Sequence, residues 1–438
     1  MLFTKLTDTR WAAGLLVGAL VAVYVGLPLL VNALFLPNPY FVQLAVLTSV
    51  ACLCIGLGYV VPWFDHRFDK GALRIAISAK SFHLVVWGTF GVFLVVTFGT
   101  ASSVPLLSAI SGASAADLSL ERGAFLKARV GAEAALIYVS TLFVSALLPY
   151  SLALMFIRKS RLRFVLLALF LAYSLSFLQK ALFINVVLPL LYLAARNPNQ
   201  NSKKVLGVVF GSGLLLYLVT LLAFGSPDDV STEPGGGTVT GGDFFGASFL
   251  PTNALEHLVW RSTAVPMFTA ADTLLVHAEQ FGAQPLWGAT SSFFAGALGL
   301  ERVPMERLVS EFQWGWNDIA NSNAVYATEA FVNFDWVGVV VFSLFVGQSL
   351  RWFRRSRDEA FKSLWTIYFL AVFTSGLIGT MLSNGYLLIF AMALLVRLKE
   401  GRNPAVTETH ALAGPTRPKL GRRRKPGAPP QSSTEPQT

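Results

Sequence analysis

Charge is scarce in this chain. Asp, Glu, Lys and Arg make up 13% of 438 residues, while 54% are hydrophobic. An ordinary soluble domain carries roughly 25% charged residues, so this composition cannot furnish a water-facing surface. Cysteine is nearly absent too. Cys52 and Cys54 lie two apart in an apolar run, where a helix would point them in different directions, so no disulfide framework is available. HExxH, paired CxxC, DxD, GxxxxGK[ST] and GxGxxG motifs are all missing, which leaves metal, nucleotide and cofactor chemistry without a sequence signal. No internal repeat of comparable halves is found, although many secondary transporters are built on one.

What is present is hydrophobic length. Apolar runs of roughly fifteen to twenty-five residues alternate with short charged segments, the pattern of membrane spans. The expected fold is therefore an all-α polytopic membrane protein of about ten transmembrane helices. Spans are placed near Trp11 to Phe35, Phe41 to Val61, Phe82 to Thr100, Ala132 to Ile157, Phe164 to Leu178, Ala181 to Ala195, Val205 to Phe224, Val337 to Leu350, Leu364 to Thr380, and Leu382 to Val396. The first run is too long for the apolar core of a secretory signal, and Lys5 and Arg10 flank it, so it is expected to be an uncleaved span.

The net charge of +10 does not indicate nucleic acid, because the basic residues sit between spans and in the tail. With the N-terminus inside, alternate segments hold 27 of the 34 Lys and Arg residues. The positive-inside rule then puts both termini in the cytoplasm. This count requires residues 164 to 195 to be a hairpin with Lys180 near its tip. Each arm, at about 22 Å, falls short of a ~30 Å hydrocarbon core, so the tip is expected to be recessed at the floor of an outward-facing cavity.

Two extracytoplasmic loops are long, Ala101 to Gly131 and Gly225 to Trp336. A transmembrane domain of residues 1–402 thus contains a large loop at 226–336, and residues 403–438 form a basic, Pro-rich cytoplasmic tail. GRRRKPG in that tail suits either anionic lipid or plain solvation. The loop opens with SPDDVSTEPGGGTVTGGD, a composition that favours a mobile segment. Further on, apolar residues at helical spacings around Pro266 suggest two short helices lying on the membrane.

The seven basic residues left outside are Arg122, Lys127, Arg129, Lys180, Arg261, Arg302 and Arg307. Topology disfavours them, so each needs a reason to be there. In LERGAFLKAR, Arg122 and Arg129 are seven apart and share a face with Phe125 if the segment is helical. Such a face suits a pyrophosphate. At about 4 Å and an effective dielectric near 20, each cation gains about 4 kcal/mol against one negative charge, before desolvation. Arginine adds bidentate geometry. Pairing with Asp117, Glu121 or Glu133 is the competing role for these cations. Arg261 stands in the otherwise apolar stretch LVWRSTAVP, where a charge without a task is costly. Arg302 and Arg307 read as solvated loop charges. A general base could come from the loop carboxylates or from His257 or His277. Glu329 is singled out because NSNAVYATEAFVNFDW runs straight into a span and sets a carboxylate at the cavity rim; favouring the following helix dipole is its alternative role. The loop aromatics suit sugar stacking and an interfacial belt equally.

With these residues assembled, the chain resembles the Wzy-type oligosaccharide repeat-unit polymerases, relatives of the O-antigen ligases in a glycosyltransferase C-like class. The similar stretches are VPLLSAISG followed by Arg122 and Phe125, the span ending in LLPY, FLQKALFINVVLPLL around Lys180, and Arg261 through WGATSSF to NSNAVYATEAFVNFDWVGVVVFSLFVG. Together they cover about half the chain. Where members of that class often carry Phe-Gly after the acidic residue, this chain has Phe334-Asp335, and the paired RX10G pattern of some members is absent. The resemblance implies a metal-independent glycosyltransferase of the bacterial inner membrane that polymerises undecaprenyl-diphosphate-linked oligosaccharide repeat units on the extracytoplasmic face. Its partners would be the lipid-diphosphate-linked oligosaccharide, membrane lipid and other polysaccharide assembly proteins. On this reading Glu329, Arg122 and Arg261 form the catalytic group, and Arg129, Lys180, Lys127 and His257 bind substrate. An O-antigen-type ligase and a lipid-linked glycan flippase are the alternatives.

Overall fold

The computed structural model describes residues 8–63, 75–113, 115–126, 129, 131–178, 180–196, 207, 211, 214, 218, 243–249, 251–315 and 322–399. Apart from residues 207, 211, 214 and 218, the expected span from Val205 to Phe224 lies outside them, as do the Gly-rich opening of the large loop at 226–242 and the basic tail. Among the described residues the chain is an all-α polytopic membrane protein. Five helices are long and apolar enough to cross a bilayer: α1 (Ala12–Leu34), α2 (Pro39–Val60), α3 (Ala79–Gly99), α6 (Ala135–Ile157) and α12 (Tyr326–Arg355). Between α3 and α6 lie two short helices, α4 (Pro105–Ile110) and α5 (Ala115–Ala124).

Two of the long helices carry a π-turn, Ala22–Gly26 in α1 and Phe143–Leu147 in α6. In each the turn ends two residues before a proline, Pro28 and Pro149. Proline removes an N–H and crowds the preceding turn, and the wider turn absorbs both effects without breaking the helix.

The hairpin is present as α7 (Arg163–Ser176) and α8 (Lys180–Arg196), with Leu178 in the left-handed region at φ 52° between them. Its bottom and tip are marked by contacts. Arg196 pairs with Asp8 and Glu359, whereas Phe177 packs on Phe125 at the other end of the bundle. At about 1.5 Å per residue the arms are about 21 and 26 Å, short of a bilayer core.

Helix α12 organises the molecule. It runs against α2 with backbone touching backbone, because Gly58 sits on the Leu344 main chain and Gly347 on the main chain of Ile55 and Tyr59. A β-carbon at either glycine would overlap those atoms, so small residues are what let the helices approach. At its start α12 is broken. Phe334 (φ −139°, ψ 15°) and Asp335 (φ 54°, ψ −154°) leave helical geometry, separating residues 326–333 from the straight run 336–355.

Residues 251–315 of the large loop form α9 (Ala254–Phe281), α10 (Ser292–Leu298) and α11 (Met305–Trp314). The two short surface helices expected around Pro266 are in fact one helix of 28 residues with the proline inside it. It packs on α1, α2 and α12. Packing supplies the stability that the proline removes, and the carbonyl it orphans belongs to solvent-exposed Ser262. Val276, Met305, Val309 and Val332 form a small separate core that ties α9, α11 and the start of α12 together.

The C-terminal part is also interrupted. The span expected from Leu364 to Thr380 ends early as α14 (Trp365–Thr374), following the short α13 (Glu359–Ser363), and breaks at Ser375. It resumes as α15 (Leu377–Leu382), and α16 (Tyr386–Leu395) follows. Strand β2 (Val396–Lys399) then pairs in parallel with β1 (Ile75–Ser78), the stretch that leads into α3.

Candidate functional site

The broken start of α12 makes the site. With the helix interrupted at Phe334, the carbonyls of Val332 and Asn333 have no helical partner, and the turn at residues 286–290 supplies one. Leu286 N–H donates to Val332 O at 3.0 Å and Trp287 N–H to Asn333 O at 2.8 Å. The Asn333 amide donates to Thr290 Oγ1 at 2.8 Å and to the Glu329 carbonyl at 2.9 Å. The WGAT segment and the helix bearing Glu329 are thereby locked together.

Glu329 points away from its own helix. Its Oε2 accepts the Ile378 N–H at 3.2 Å, at the start of α15, where the broken span presents free donors. Gly376 lies flat against the carboxylate, and a β-carbon there would collide with Cδ and both oxygens. The carboxylate is therefore held from behind by α15 and fixed in direction. It lines two adjoining voids: a narrow one of about 50 Å³ shared with Thr273, Glu306 and Asn323, and an open one of about 650 Å³ shared with Thr290, Arg302, Glu306 and Tyr138.

Asn323 links the narrow void to a third, of about 560 Å³, walled by Arg122, Ser140, Thr141, Asn185, Thr374 and Asn384. Three lobes thus run side by side from Arg122 to Arg302, with Glu329 in the middle. Arg122 is half-buried; its Nε donates to the Leu118 carbonyl at 3.0 Å. Arg261, on α9, is exposed and lines none of the three lobes; its guanidinium lies over the Trp260 ring, 6.0 Å from the centroid. Desolvation lowers the pKa of both guanidinium groups, and the nearby positive charge of Arg122 lowers that of Arg261 further. Among the described residues no carboxylate forms an ion pair with either. Two like charges brought within electrostatic reach, partly desolvated and without an acid, form a place for an anion.

The remaining sequence candidates part from this pair. Helix α5 ends at Ala124, so Arg129 does not share a helical face with Arg122. Its Nη2 donates to the Thr97 carbonyl at 2.9 Å and its Nη1 to Glu133 at 3.1 Å, with Thr100 Oγ1 also in contact. Arg129 instead ties the end of α3 to the start of α6. His257 sits on α9 beside the Trp260 ring, 6.3 Å between centroids, and lines none of the three lobes. His277 is buried, its Nε2 2.8 Å from the Gln284 carbonyl, so it packs. Lys180 opens α8 at the hairpin tip, next to the Arg122 lobe through Ile184 and Asn185. Lys127 lies outside the described residues.

Several participants were not singled out in the sequence. Glu306 faces both of the Glu329 voids, and Arg302, read as a solvated loop charge, lines the larger. Asp272 accepts the Gln313 amide at 2.7 Å, and Gln313 in turn accepts Ser322 Oγ–H at 2.7 Å, beside the narrow void. Burial pushes the Asp272 carboxyl up to about 6, against the Gln313 bond, which pulls it down. The chain matches no protein-family model, no curated protein and no solved structure.

Proposed function

We propose that the protein is a polymerase of lipid-diphosphate-linked oligosaccharide repeat units, working on the extracytoplasmic side of the bacterial inner membrane. The observation that carries this reading is the oriented carboxylate of Glu329 in a row of voids whose far lobe is walled by Arg122, with Arg261 near enough for the two cations to repel. The leaving diphosphate sits on the two guanidinium groups, which match its oxygens as forks. An acceptor hydroxyl of the second lipid-linked unit attacks the anomeric carbon, the glycosidic bond forms as the bond to the diphosphate oxygen breaks, and Glu329 takes the hydroxyl proton. Energy comes from the donor, so no metal or nucleotide is required, and activity persists in excess chelator.

Orientation follows from charge. Asp8, Arg10, Arg158, Arg196, Arg354 and β2 all gather at the Arg355 end of α12. By the positive-inside rule that end faces the cytoplasm, and the Glu329 end faces out.

The breaks at Ser375 and Gly385 favour one rival, a flippase, because transporters bind substrate at discontinuous helices. Deleting the gene and sizing the surface glycan separates the readings. Loss of the polymerase leaves single repeat units on their final carrier. Loss of a ligase leaves long chains on the diphosphate lipid, and loss of a flippase leaves single units facing the cytoplasm. An unchanged length distribution with no lipid-linked intermediate would exclude all three.

A further inference from the structure

At the other end of α12 from Glu329 lies a second pocket, of about 390 Å³, where α6, the turn after α12 and the α16–β2 junction meet. About 30 Å of straight helix separates it from the cleft, twenty residues at about 1.5 Å each. Three arginines from three separate segments line it: Arg158 after α6, Arg357 after α12 and Arg397 in β2.

Two carboxylates line the same pocket, but both are already engaged. Asp358 accepts the Tyr150 hydroxyl at 2.6 Å and the N–H groups of Ala360 and Phe361 at 2.9 and 3.2 Å. Glu359 holds Lys362 at 2.7 Å and Arg196 at 3.4 Å. Among the described residues no carboxylate pairs with Arg158, Arg357 or Arg397. Other arginines at this end do have work: Arg163 lies over Phe156 and Phe164, and Arg351 donates to the carbonyls of Tyr59 and Val60. A general excess of cations on this face would explain scattered, solvated arginines. It does not explain three converging on one hollow.

Apart from Ser356 and Tyr150, the rest of the wall is apolar. Leu154, Ile157, Met392 and Ala393 belong to the last turns of α6 and α16, and neighbouring Ile157 and Leu395 are 43% and 47% exposed on the outer surface of the bundle. The hollow thus joins a cationic floor to a greasy flank at the point where two helices leave the bilayer. We infer that it binds the phosphodiester headgroup of an anionic membrane lipid, whose acyl chains run down the α6 and α16 surface. Guanidinium forks match phosphate oxygens, and cationic pockets between helices at the cytoplasmic face are suited to such headgroups. The site is independent of the glycan chemistry at the other end.

The test is native mass spectrometry of the intact protein after exchange into equal phosphatidylglycerol and phosphatidylcholine. The wild type should keep one phosphatidylglycerol. The combined R158Q, R357Q and R397Q variant should lose the preference by roughly a hundredfold, each cation at the membrane surface contributing about a factor of five. The matching triple lysine variant, and R357Q alone in its exposed turn, keep the protein foldable; the first should retain lipid and the second should weaken it. Equal retention of the two lipids by the wild type, or undiminished retention in R357Q and the triple variant, would overturn the assignment. Displacement by millimolar inorganic phosphate would contradict a lipid and mark a soluble anion instead.

Discussion

At the scale of single residues, the proposed site rests on two arginines that no carboxylate neutralises among the described residues. Arg122→Ala and Arg261→Ala should each abolish product with protein still in the membrane at normal level, and lysine should rescue only in part, since it keeps the charge and loses the fork. Arg129→Ala should instead lower stability, by about 1 to 3 kcal/mol for a lost charged hydrogen-bond network, while leaving residual activity in what folds. Gly376→Ala should act through Glu329: its methyl group would push the carboxylate off the Ile378 N–H, lowering turnover with little change in melting temperature. Asp272 makes a pH prediction. Folding raises its pKa to about 6, so the folded state holds this proton more tightly than the unfolded chain. The cost of the ionised form is absent below about pH 4 and complete above about pH 6. Asp272→Asn should therefore stabilise the protein by about 2 kcal/mol at pH 8 and not at pH 4, read by thermal unfolding in detergent. Arg122, Arg261 and Glu329 stand out in the sequence because a charge in or beside an apolar run is expensive. Arg129 and His257 look the same there, and only their contacts with Thr97 and Trp260 set them apart. Gly376 was invisible, since its role is the space it leaves for a residue on another helix.

At the scale of elements, periodicity located the helices but not their interruptions. Both π-turns follow from prolines that are plain in the sequence, yet Pro266 lies in a helix that does not break, so proline alone does not decide the outcome. Packing of α9 on α1 and α2 does. The break in α12 is the element that builds the cleft, and its residue is unexpected. Asp335 adopts φ 54°, ψ −154°, a region that favours glycine. Asp335→Gly should thus preserve activity and stabilise the fold by about 1 kcal/mol, while Asp335→Val should impair both, as measured by melting temperature and product yield. The bends at Ser375 and Gly385 had no sequence signal stronger than a single Ser or Gly in an apolar run. The break at Ser375 leaves the first N–H groups of α15 free, and that of Ile378 meets Glu329.

At the scale of the whole molecule, the apolar runs were enough to give an all-α membrane bundle and its hairpin, and the Lys and Arg distribution proposes a sidedness. Single cysteines at Gly131 and Ser160, in a chain lacking Cys52 and Cys54, test it: an impermeant reagent should label the first from outside intact cells and not the second. The assembly of the cleft was not legible at all, because Arg122, Glu329 and Gly376 come from three segments up to 254 positions apart. The most direct test of the central claim is made on purified protein in vesicles, supplied with lipid-diphosphate-linked repeat units and a chelator, with products resolved by length. The account predicts a ladder of multiples of the repeat still on the diphosphate lipid, and no ladder from Arg122→Ala or Arg261→Ala. A wild type that only moves single units across the bilayer, or alanine variants that build the same ladder, would contradict it.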